Sequence, residues 1–83
     1  MVEDARERAK QLAETLQDRG HAAEAQEVGR AAGAVASVEH AFLRGLRDAL
    51  QSALTAIEAI DPFSAGAIDE LRLEVDKHLG PHA

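Results

Sequence analysis

Apolar residues recur through the first stretch of the chain at steps of three and four: Val2, Ala5, Ala9, Leu12 and Leu16. That spacing gathers them on one stripe of a helix, whereas a strand would need steps of two. Glu3 and Asp4 suit the positive end of the helix dipole and Arg19 the negative end. Gly20 then supplies the left-handed conformation at which helices commonly stop. The pattern predicts a first helix over 2–19.

A second stripe, Ala25, Val28, Ala32 and Val35, predicts a helix over 22–36 made almost wholly of small side chains. Gly29 and Gly33 each cost it about 1 kcal/mol relative to alanine, a cost that close approach to a neighbouring helix offsets. Ser37 is suited to capping a new helix, but no Gly-Pro or Asn-Gly pair marks a turn. The stripe also runs on through Glu39 to Leu43 with one extra four-residue step, so a break near Ser37 and one continuous helix over 22–60 both fit.

The strongest signal covers 38–60. Leu43, Leu46, Leu50, Ala53, Ile57 and Ile60 form a seam, and Phe42, Ala49 and Leu54 widen it into a face able to meet two neighbours. Asp61-Pro62 ends that run, because the residue before proline avoids the helical region. Pro62 and Ser64 offer start signals for a last helix over 65–79, with its stripe at Ile68, Leu71, Val75 and Leu79. Leu73 falls off that stripe. Lys77 and His78 occupy the last turn, Gly80-Pro81 closes it, and 80–83 is expected to be a short mobile tail. The expectation is an all-α single domain over 1–83: a small antiparallel bundle of three or four helices, the middle two separate or continuous.

Composition changes this picture in one respect. Eighteen alanines are present, and bulk is unevenly spread. Over the first two expected helices the sizeable apolar residues are Val2, Leu12, Leu16, Val28 and Val35, against fourteen from Val38 onward. A half built from Ala and Gly buries little apolar area per residue. A second copy of the chain that completes this thin half would make the protein a homodimer. The seam Ala25, Val28, Gly29, Ala32 and Val35, with Leu73 as an outlying apolar residue, is the expected interface; close packing inside one chain is the competing use of the same face.

Charge excludes some partners. Fifteen acidic against nine basic residues give −6, with no basic cluster and only Phe42 and Phe63 as aromatics. Nucleic acid requires clustered Lys/Arg, and an anionic membrane surface repels such a chain. No apolar run is long enough to span a membrane and no leader pattern is present. Cysteine is absent, which removes disulfides and thiolate chemistry and fits a reducing, cytoplasmic compartment.

Candidate chemistry is sparse. His40, on the core helix and followed by Arg44 and Gly45, resembles the histidine phosphotransfer modules. There the imidazole carries a phosphoryl group, a basic residue steadies its charge, and a glycine leaves room for the incoming receiver domain. That family places the basic residue three after the histidine and the glycine four after; here each is one place later, so the resemblance is confined to a few residues. Glu74 and His78, four apart on the last helix, and His21 with Glu24, three apart, each pair two metal-ligand types on one helix face, yet two ligands do not close a site. The carboxylates Asp69, Glu70, Glu74 and Asp76 interleave with Arg72 and Lys77 as on a solvated helix surface. No nucleophile–base pair, phosphate-binding glycine loop or dinucleotide fingerprint occurs. The sequence therefore predicts no cofactor and no enzyme. It points to a non-enzymatic interaction module, an adaptor or small regulatory subunit that binds itself or a helical partner, with a phosphotransfer carrier or a metal-binding bundle as alternatives.

Overall fold

The computed structural model describes residues 2–35 and 38–80, and its helices follow the stripes closely. The first, α1, is Val2–Asp18, α2 is Ala22–Gly33, α3 is Glu39–Ile57 and α4 is Pro62–Leu79. No strand occurs among the described residues. The radius of gyration, 11.7 Å, matches the about 11.8 Å expected of a compact chain of this length.

Each boundary has a local cause. Gly20 takes φ +88°, and the turn closes with His21 N donating to Leu16 O and Gly20 N to Gln17 O, the paired bonds of a Schellman stop. Arg19 lies just outside α1, not in its last turn, and its side chain is used elsewhere. Helix α2 ends at Gly33, and Ala34 turns to extended backbone at φ −65°, ψ 141°. The chain therefore has two helices here rather than one, although the break sought at Ser37 lies outside the described residues, as does the tail over 81–83. Arg6 of α1 donates through Nη1 to Ala32 O and Ala34 O, satisfying carbonyls at the end of α2 that the helix itself leaves open.

The expected helix over 38–60 stops three residues early. After Ile57 the backbone turns, with Ile60 N and Asp61 N both donating to Ile57 O. Ile60 is thereby carried off the seam and left 72% exposed. Helix α4, in turn, starts three residues earlier than expected. Asp61, not Ser64, is its N-cap: the carboxylate accepts from Ser64 N, and Pro62 takes the first helical position, where a missing N–H costs nothing.

One core runs through all four helices. Leu16, Leu43, Leu46, Leu50, Ile57, Ile68, Val28 and Val75 are its largest fully enclosed apolar side chains. Helix α1 packs on α2 and α4, and α3 on α2 and α4. The alanine-rich half is enclosed within the single chain: Ala9, Val28 and Ala32 have no exposed surface, and a Cβ on Gly29 would sit 3.7 Å from that of Ala13. The thin half is thus filled by its own helices at close range. At Gly33 and Gly45 a Cβ would meet nothing within 4 Å, so close packing does not explain those two glycines.

Candidate functional site

The densest polar constellation lies where the turn between α1 and α2 meets the turn between α3 and α4. Asp61, nearly buried at the cap of α4, receives Arg19 on both oxygens: Nε donates to Oδ2 at 2.8 Å and Nη2 to Oδ1 at 3.0 Å. His21 Nε2 lies 2.8 Å from Oδ2, Ser64 Oγ donates to Oδ2 at 2.6 Å, and Ser64 N donates to Oδ1 at 3.2 Å. A carboxylate offers about four acceptor sites, and these five contacts use them all. The Arg19 hydrogen bonds, then those of Ser64 and His21, hold the Asp61 carboxyl far below the usual carboxylate range, against the opposing effect of burial. The same pairing raises Arg19.

Ser, His and Asp gathered at one point invite comparison with a nucleophile–base arrangement, but the connections are wrong. Serine and histidine both bond to the carboxylate rather than to each other, and Ser64 has no exposed surface. A nucleophile needs its base within reach and an open path for substrate. What the cluster does is mechanical: it ties two turns 40 residues apart in sequence and caps a helix at the same atom pair. Around it, Arg19 lies over the Phe63 ring at 4.8 Å, and Ile60, Pro62 and Phe63 line a shallow open depression beside Arg19 and His21. Phe63 is 69% exposed.

The residues singled out from sequence are scattered. His40, Arg44 and Gly45 are all exposed along α3, away from the Asp61 cluster. Glu74 sits 3.8 Å from Arg8 of α1, and His78 is exposed beyond it in the same cleft between α1 and α4. His21 is committed to Asp61, so it forms no pair with Glu24. Among the described residues no three His, Cys, Asp or Glu side chains converge where a metal ion could be held. The acidic face of α4 is shared out to cations: Arg72 bonds to Asp69 and Asp76, and Arg8 faces Glu70 and Glu74.

Of the seam expected to bind a second chain, Ala25, Val28 and Ala32 are buried in the core of this one and Gly29 is half-buried. The inward face of α2 is packed against α1 and α3 of the same chain. Val35 is different. Because α2 ends at Gly33, Val35 is 97% exposed, and Val38, just before α3, is also exposed. Leu73 is half exposed on the outer face of α4.

Sequence reasoning missed the Asp61 cluster. Asp-Pro with Ser three residues after the Asp is a legible helix start. That Arg19 and His21 would meet it is a tertiary fact with no local signal. No helix among the described residues is long and apolar enough to cross a membrane. Comparison with protein families, with curated proteins and with solved structures finds no match for this chain.

Proposed function

We propose that the protein is a non-enzymatic interaction module, an antiparallel four-helix bundle that associates with a second copy of itself and presents one end to a helical partner. The observation that carries this reading is the exposure of Val35 and Val38 on the connection between α2 and α3. Two valines so placed gain nothing from the closed chain, and burying one such side chain is worth about 1.5–3 kcal/mol. Ile60 and Phe63, at the far end of α3, form a second exposed apolar surface suited to a heterologous helix. The polar groups support the same reading, since the densest cluster among the described residues is consumed in holding turns together. A cytoplasmic setting suits a small chain without cysteine.

The test is the mass in solution as a function of concentration, for the natural chain and for the double variant Val35→Asp/Val38→Asp. The reading expects a dimer that the double variant abolishes while the helical content and melting profile stay near those of the natural chain. A natural chain that remains a monomer throughout, or a dimer indifferent to both charges, would reject it.

A further inference from the structure

We draw no further inference here: the strongest candidate, the cleft between α1 and α4 that Arg8 crosses to reach Glu70 and Glu74, is an acidic cluster with nothing among the described residues pointing to a ligand.

Discussion

Arg19 and Asp61 stand 42 positions apart in sequence, yet the guanidinium of one grips both carboxylate oxygens of the other. The pair joins the stop of α1 to the start of α4, and it does so at a residue that also caps α4 through Ser64 N. One carboxylate thereby supports a helix end and a long-range contact together. Its removal should cost more than a surface ion pair, for which about 0–1 kcal/mol is typical.

Asp61→Asn removes the charge while keeping the shape. The amide cannot accept from Arg19, His21 and Ser64 at once, and the cap weakens with it. The expected outcome is a lower melting temperature at pH 7 than any single Asp69→Asn or Glu70→Gln change produces. Thermal melts followed by circular dichroism check it.

The same residue sets a pH dependence. Its folded value lies below its unfolded value of about 4, so its contribution is complete above that range and fades as the pH falls further. The difference in stability between the natural chain and Asp61→Asn should therefore be constant from pH 8 to about pH 5 and shrink steadily below about pH 4. Urea melts across that series measure it; a difference unchanged at pH 2.5 would place the carboxylate outside the network.

Two glycines should respond in opposite senses. At Gly45, inside α3, a Cβ meets open space, so Gly45→Ala should stabilise by about 0.5–1 kcal/mol through helix propensity alone. At Gly20 the backbone is left-handed, and Gly20→Ala should destabilise by about 1–2 kcal/mol although no atom obstructs it. Chemical denaturation of both variants tests the contrast.

Charge placed along α2 separates core from surface. Val28 has no exposed surface, so Val28→Glu buries an unpaired carboxylate and should unfold the chain at room temperature. Val35→Glu should fold normally. Val28→Glu is for that reason no test of an interface, because loss of assembly would follow from loss of the fold. Phe63→Ser, at the opposite end, is expected to leave both folding and dimerisation nearly unchanged.

A phosphoryl donor supplies a chemical control. His40 is exposed, with Arg44 and Gly45 each one residue later than in phosphotransfer modules. Incubation with acetyl phosphate should leave no acid-labile, base-stable phosphate on the protein. Label that disappears in His40→Gln would restore the phosphotransfer reading.

The helices were legible because each has a long apolar stripe, and the stripe of α4 is buried at all four expected positions, Ile68, Leu71, Val75 and Leu79. The ends were less legible where tertiary contacts decide them. Ile60 continues the seam of α3 in register, yet the chain turns away before it to deliver Asp61 to Arg19. Ser64 looked like a cap and is instead the third residue of the helix that Asp61 caps. The small residues of α2 signalled close packing, which Ala13 and Gly29 supply, but periodicity alone does not say whether the neighbour belongs to the same chain. The choice between two helices and one over 22–60 was not legible because no Gly-Pro or Asn-Gly pair marks the turn; the chain ends α2 at Gly33 and begins α3 at Glu39.

The most direct measurement of the central claim is absolute mass by light scattering on a sizing column, from micromolar to millimolar chain. The account predicts twice the single-chain mass over the upper part of that range, reverting to the single-chain mass in Val35→Asp/Val38→Asp. A single-chain mass at every concentration would contradict it.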